Sequence, residues 1–522
     1  MVVWLCTVKK ENRKNNSGSK NILTGIIKVA PKPIGFLLSE KEGDIVFYEE
    51  NLNCALDKDE VEVEIIGKDG GARGKDRKKG RVLRVTERNK TEFVGTVEIV
   101  GKNAYLVPDD YRFYKKIELR DFPKDLKNKQ KVFVQMDNWN NPNINPTGKV
   151  LKVIGEKGVH ETEMQSILLD KGIVYDFPAS VEKEAERVAS DFRKVSSSLS
   201  TDISLLGNSS SSSRSASLGT LERNFPEISN RRDFRDILTF TIDPVDAKDF
   251  DDALSYRDLG NGKIEVGVHI ADVSHFVRPG SELDKEARKR AFSTYLVDRT
   301  IPMLPEVLSN ELCSLMPNVD RFAFSSVFEI EKETGKILSR WFGKTIINSD
   351  KRFSYEEAQS ILDAANGQNS FVNEPSEADR AELEEFLSKE ISVRESKTNF
   401  VHELQELNRL ANIYRKENKK NGAIEFETDE VRFELDSEGK PIRVYKKPRL
   451  DTMKMIEEWM LLANREVAKF LSDKTKVRGG ASIFRIHNFP KMERIEELAV
   501  FVRALGHDLP VKDGQVSAKD IN

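Results

Sequence analysis

From Thr241 to Leu254 the chain reads Thr-Ile-Asp-Pro-Val-Asp-Ala-Lys-Asp-Phe-Asp-Asp-Ala-Leu. Its carboxylates Asp243, Asp249, Asp251 and Asp252, with Asp246 among them, constrain the fold more than any other segment. Like charges held a few ångströms apart repel, and each raises the pKa of its neighbour unless something cationic neutralises them. A divalent metal does so, and hard oxygen ligands suit Mg²⁺ or Mn²⁺. Leu238, Phe240 and Ile242 precede the acids and Ala253 and Leu254 follow them, which places the cluster beside a core rather than on a solvated tail. A calcium loop of the EF-hand kind is excluded. Counted from Asp249, its fifth position is Ala253 and its sixth Leu254, where an oxygen ligand and a glycine are required. A two-metal hydrolytic site, with ions roughly 4 Å apart that activate water and stabilise a leaving oxygen, fits the grouping better. Strict strand alternation would send Asp251 and Asp252 to opposite faces, so the segment must bend or the ions must sit at its end.

Around this centre the chain divides by pattern. Residues 1–20 are polar and read as a flexible leader. From about residue 21 to 88, short strand-like runs (ILTGIIKV, IGFLL, DIVFY, VEVEII) broken by turns predict a small β-barrel. A second run of the same kind spans 89–155. Phe36, Phe47 and Tyr48 either stack on bases or fill the barrel core. The glycine-rich, basic stretch 68–84, with Arg77, Lys78, Lys79 and Arg81, reads as a mobile connection between the barrels. Residues 156–230 begin helically, with Val181, Ala185 and Val188 at helical spacing, and pass into a serine-rich stretch from Val195 that lacks the apolar density to form a core. The acidic domain occupies 231–522. There, Ile264, Val266, Val268 and Ile270 predict a strand with one buried face. His269 falls on its other face, as a metal ligand or, the favoured reading, a hydrogen-bonded structural histidine. Met455, Ile456, Trp459, Met460, Ala463, Val467 and Phe470 predict an amphipathic helix over 451–471, capped by Asp451 or Thr452.

Composition limits the alternatives. With a net charge of −3, any nucleic-acid surface must be a local patch. Three cysteines, Cys6, Cys54 and Cys313, form neither a disulfide framework nor a zinc spacing. No apolar run is long enough for a membrane helix, so a cytoplasmic protein with no membrane partner is expected.

The segment TFTIDPVDAKDFDDALSY resembles the active-site signature of the RNB family, the ribonuclease II and ribonuclease R exoribonucleases. VGVHIADVSHFV (266–277), DKEARKRAFSTYLVDRTIPMLPEVLSNELCSLMP (284–317), NKKNGAIEF (418–426) and MIEEWMLLANREVAKF (455–470) resemble later family segments in the family's order, and the nearest subtype is bacterial ribonuclease R. The resemblance implies an α+β multidomain chain: two tandem cold-shock-type OB barrels followed by an RNB catalytic domain. It implies Mg²⁺-dependent, sequence-independent 3′-5′ hydrolysis of single-stranded RNA to nucleoside 5′-monophosphates by a monomer. By resemblance Asp243, Asp249, Asp251 and Asp252 are the catalytic and metal-binding aspartates, Tyr295 and Phe426 stack on the terminal bases, and Glu457 lies near the substrate. Beside RNA-binding modules, the basic stretch becomes a phosphate-contacting loop. The family's later Ser-Pro-Ile-Arg-Arg-Tyr-type segment, with its arginine, has no counterpart before the chain ends. The expectation is therefore a truncated catalytic domain that binds RNA and cleaves it poorly. The rival is a non-catalytic RNA-binding protein retaining the fold. A weaker third reading is a metal-dependent DNA nuclease or phosphodiesterase, since discrimination rests on the 2′-OH.

Overall fold

The structure is a computed structural model that describes residues 22–37, 45–69, 77–204, 230–366, 400–424, 430–437, 439–484, 490, 492–511 and 516–517. The leader, most of the serine-rich stretch and Phe426 lie outside the described residues. The chain forms two compact units, Met1–Asp176 and Phe177–Asn522.

The first unit holds two small β structures. One is a six-stranded sheet of β1 (Ile22–Ile26), β2 (Lys28–Val29), β3 (Gly35–Leu37), β4 (Ile45–Phe47), β5 (Glu60–Asp69) and β6 (Arg77–Glu87), in the order β1-β5-β6-β4-β3-β2. Its two edges, β1 and β2, are halves of one strand interrupted only at Ile27, so the chain itself joins the sheet's ends. Gly25, on β1, leaves room for the Leu37 side chain, whose tip a Cβ there would meet at 2.9 Å. The other is a closed barrel of β7 (Glu92–Val100), β8 (Asn103–Pro108), β9 (Ile117–Asp121), β10 (Gln130–Met136) and β11 (Thr147–Glu156). The helix His160–Asp170 packs on β7, β10 and β11, and Lys90 anchors it by an ion pair to Asp170 (2.6 Å). The stretch expected to connect the domains therefore divides, its first helix belonging to the second barrel. The two cores also interlock. Cys54 and Leu56, from the first module's chain, pack among Phe93, Val97, Leu106 and Trp139 of the second.

One expectation here is corrected, and one open alternative is decided. The basic stretch is not a connection between barrels. From Arg77 onward it is β6, an interior strand paired with β5 and β4. The alternating Glu-Val pattern of β5 supplies it with carboxylates, giving Arg81–Glu64 (3.3 Å) and Arg84–Glu62 (2.7 Å) pairs. Phe47 is fully buried and belongs to the barrel core, whereas Phe36 and Tyr48 are half-buried.

The second unit is built on a seven-stranded sheet. Its strands are β12 (Arg232–Asp233), β13 (Thr239–Asp243), β14 (Asp252–Gly260), β15 (Lys263–Ala271), β18 (Asp320–Glu331), β19 (Ile337–Asn348) and β20 (Lys351–Ser354), in the order β12-β19-β18-β15-β14-β13-β20. Between β15 and β18 the chain makes the two-stranded ribbon of β16 (Thr294–Tyr295) and β17 (Thr300–Ile301). One face packs against the helices Tyr355–Ala365, Val401–Lys420 and Asp451–Arg478, whose Leu404, Leu407, Met455 and Trp459 are buried with Phe240, Leu254 and Val266. The other face is covered by the helix Ala179–Ser204 and by residues Leu283, Leu304, Leu308 and Leu315. Because both faces are covered, β15 does not have the single buried face its alternation predicted. Glu265, Gly267 and His269 are buried as well as Ile264, Val266 and Val268, while Ile270 is exposed.

The helix Ala179–Ser204 continues into the serine-rich stretch, which was expected to lack order from Val195. A helix already nucleated extends at one hydrogen bond per residue, and no glycine or proline stops it before Gly207. The helix Asp451–Arg478 starts where predicted, but neither Asp451 nor Thr452 caps it. Leu450 is the cap residue, and the first amides donate to Gln359 Oε1 of a neighbouring helix (2.9 and 3.2 Å).

Candidate active site

Asp243 is the last residue of β13 and Asp252 the first of β14, two adjacent antiparallel strands. The acid-bearing loop joins them at one end of the sheet, so the segment bends and the carboxylates also sit at a strand end. Several contacts fix the loop. Ser314 Oγ donates to the Lys248 carbonyl (2.8 Å) and accepts from the Phe250 amide (3.0 Å). The Leu315 amide donates to Phe250 O and the Ala271 amide to Asp251 O. Arg352, on β20, donates from Nη2 to the carbonyls of Pro244 (2.6 Å) and Val245 (2.8 Å).

The electrostatics are those of an under-neutralised acid cluster. Burial, with repulsion from Asp252 and Asp251, pushes the Asp243 carboxyl up to about 7, against the lowering pull of the nearby Thr241 hydroxyl and of Arg352. Burial and Asp251 push Asp252 up to about 6. Asp251 is exposed, yet partial desolvation and then Asp249 raise it too. The Tyr355 hydroxyl is pushed up to about 12, first by burial and then by Asp252 and Asp243. Asp243 Oδ2 and Thr241 Oγ1 are buried without a hydrogen-bond partner.

These features test the fit of a divalent cation. The donor set is all oxygen, one buried carboxylate oxygen is orphaned, and the raised Asp243 and Asp252 carboxyls show that nearby Arg352 does not offset the cluster's negative charge. On the other side, among the described residues no three His, Cys, Asp or Glu side chains are gathered so as to hold a metal. Mg²⁺ reconciles the two observations, because it keeps several waters and is held by one or two carboxylates together with substrate phosphate oxygens.

Tyr295 lies in β16, which pairs with β17, and its side chain is 71% exposed. A core role is thereby excluded. Its hydroxyl is raised first by partial burial and then by the charges of Asp249 and Asp251. Glu457 is exposed on its helix and pairs with Arg449 (2.8 Å). His269 is the structural histidine that was favoured. It is fully buried between Ser325 Oγ (2.6 Å) and Ser255 Oγ (2.9 Å), and burial pushes it down to about 3. Lys79 pairs with Glu50 (3.5 Å) and lies over the Tyr48 ring. Arg352 and Tyr355 escaped the sequence reading. Their only local signal is Ser354, whose Oγ accepts from the Glu357 amide (3.0 Å) and starts a helix at Tyr355.

Small β modules are thus followed by a sheet domain with carboxylates at the ends of adjacent strands. The chain belongs to the RNB family: the RNB domain matches residues 231–521, and a cold shock domain matches 105–178. Ribonuclease R of Thermotoga maritima is 33% identical over 480 residues, 91% of this chain and 58% of that protein. The chain thus spans little more than half the length of that relative. Among solved structures, Mycoplasma genitalium RNase R in complex with ribose methylated single-stranded RNA superposes with a TM-score of 0.73 at 23% identity, covering 96% of this chain and 69% of that one. Yeast Ssd1, a pseudonuclease, superposes with a TM-score of 0.59 at 17% identity, covering 94% of this chain and 59% of that one. Both share the fold, and the expected α+β architecture of cold-shock-type barrels and an RNB domain is the one observed.

Proposed function

We propose that the protein is a divalent-metal-dependent exoribonuclease that shortens single-stranded RNA from its 3′ end, without sequence preference, and releases nucleoside 5′-monophosphates. The observation that carries this reading is the acidic cluster: Asp243 and Asp252 at the ends of adjacent strands, with Asp249 and Asp251 on the loop between them and an orphaned carboxylate oxygen. Mg²⁺ is the proposed ion, with Mn²⁺ able to replace it. When bound, it would supply a polarised water and a countercharge for the phosphate. Asp243, Asp249, Asp251 and Asp252 would hold it, one or two directly and the others through its waters, and a second ion would offset the charge that one dication leaves. Tyr295 offers an exposed ring for the terminal base, and stacking serves a sequence-independent enzyme because every base has a π-face. Family membership supports the RNA partner and the direction of degradation, and the single-stranded RNA bound to the Mycoplasma RNase R supports the former. Buried, unpaired Cys54 and Cys313 suit a reducing, cytoplasmic setting.

A second reading, an RNA-binding protein without catalysis, is favoured by one observation: no three acidic side chains are gathered at metal-holding geometry among the described residues. One assay separates the two. The chain is incubated with 5′-labelled single-stranded RNA, or matched DNA, in Mg²⁺ or in EDTA. The proposal expects Mg²⁺-dependent shortening of RNA, lost by at least about 100-fold in Asp252→Asn while RNA affinity is kept. Binding without shortening, in parent and variant alike, establishes the second reading.

A further inference from the structure

Arg352 pairs across β20 and β13 with Thr241, two residues before Asp243. Its Nη2 bonds the carbonyls of Pro244 and Val245, the first two residues after that aspartate. Its guanidinium also lies 5.5 Å from the centroid of the Phe250 ring, between Asp249 and Asp251 in sequence. One side chain therefore grips the acid-bearing loop at its beginning and near its end. A planar guanidinium offers several donors in a fixed geometry and an aromatic-stacking face, which a lysine ammonium does not combine.

We propose that Arg352 is the positioning residue of the acidic site, fixing the course of the loop that carries Asp249 and Asp251 between Asp243 and Asp252. The inference rests on the proposed function and adds to it a residue outside the acidic run. Arg352 touches neither metal nor RNA in this role. It limits how far the loop must move for its carboxylates to close on an ion, and groups that orient metal ligands in this way typically influence affinity or activity about 10–100-fold.

The test compares the chain with R352M, which keeps the length of the apolar stem, and with R352K, which keeps a donor and the charge. Four quantities are measured: amide hydrogen exchange across 243–252, Mn²⁺ affinity without RNA by electron paramagnetic resonance, the single-turnover cleavage rate in Mg²⁺, and RNA affinity. In R352M, exchange across 244–250 is expected to quicken while β15 and β18 keep their protection. Mn²⁺ affinity and cleavage rate are expected to fall about 10–100-fold, and RNA affinity to stay within about twofold. R352K is expected to recover part of each loss. Parental exchange and Mn²⁺ affinity in R352M would overturn the proposal. So would losses that follow only a general fall in Tm and that R352K does not relieve. If R352M is insoluble, R352K decides by the same measurements, with exchange, Mn²⁺ affinity and cleavage all at parental values counting against the role. If the parent neither binds Mn²⁺ nor cleaves RNA, the proposed function fails, and the exchange comparison still decides whether Arg352 holds the loop.

Discussion

Asp243 and Asp252 hold protons in the metal-free fold that the unfolded chain has already released, since burial and neighbouring acids push them up to about 7 and about 6 from an ordinary 3.8. Their contribution to stability is therefore complete below the unfolded value and is lost as the pH rises through 6 and 7. Each tenfold change in proton affinity is worth about 1.4 kcal/mol. In EDTA, Asp243→Asn, which imitates the protonated acid, is expected to melt several degrees above the parent at pH 8 and level with it near pH 4. Added Mg²⁺ should raise the parent's Tm at pH 8 and leave the variant's nearly unchanged. A parent whose metal-free Tm does not decline between those pH values would contradict the electrostatic description. Tyr295 makes a contrasting case. Its exposed ring has little packing to lose, so Tyr295→Ala should alter Tm by less than about 0.5 kcal/mol of stability. The same change should lengthen the shortest undigested RNA product, because stacking is worth roughly 1–3 kcal/mol per base. An unchanged product ladder would remove Tyr295 from the substrate path.

Among the elements, β6 has the most altered meaning. Its basic residues are ordered on a strand, and acidic partners already face some of them: Glu64 for Arg81 and Glu50 for Lys79. Exposed pairs of this kind contribute little to stability and exchange readily. An RNA phosphate can displace such a partner, but the carboxylate it leaves behind reduces the gain. Replacing Lys79 and Arg81 with serine should therefore weaken RNA binding and lower the log–log salt slope by less than about 0.7 per residue. Binding measured by anisotropy across a salt series checks this, and an unaltered slope would mean that β6 lies away from the RNA. The helix Asp451–Arg478 shows the same dependence on neighbours, because Gln359 of another helix, rather than a local side chain, receives its first free amides.

At the level of the whole molecule, two units with separate cores carry different parts of the proposed activity: small β modules for binding and the acidic sheet domain for hydrolysis. A ligand that binds one unit stabilises that unit by mass action and not its neighbour. Calorimetry should therefore resolve two transitions, of which Mg²⁺ raises only one, and Asp252→Asn should abolish that shift. A single transition moved as a whole by Mg²⁺ would show that the units unfold together.

The sequence by itself determined the features that depend on near neighbours in the chain. The clustered aspartates and their apolar flanks announced a charged site at the edge of a core. The alternation of Glu and Val in β5, and the helical spacing of Met455, Ile456, Trp459 and Ala463, announced the elements that now bury those residues. Tertiary structure alone decided which surfaces meet. Both faces of β15 are covered because helices pack on each side of the sheet, so an alternating pattern with His269 and Glu265 on the second face is still buried from Ile264 to His269. Arg352 reaches the acid loop across 108 residues of chain, and nothing in its local pattern distinguishes it from a solvated arginine. Periodicity reports how a segment buries itself, whereas the partner it buries against is selected by long-range packing that no local spacing encodes.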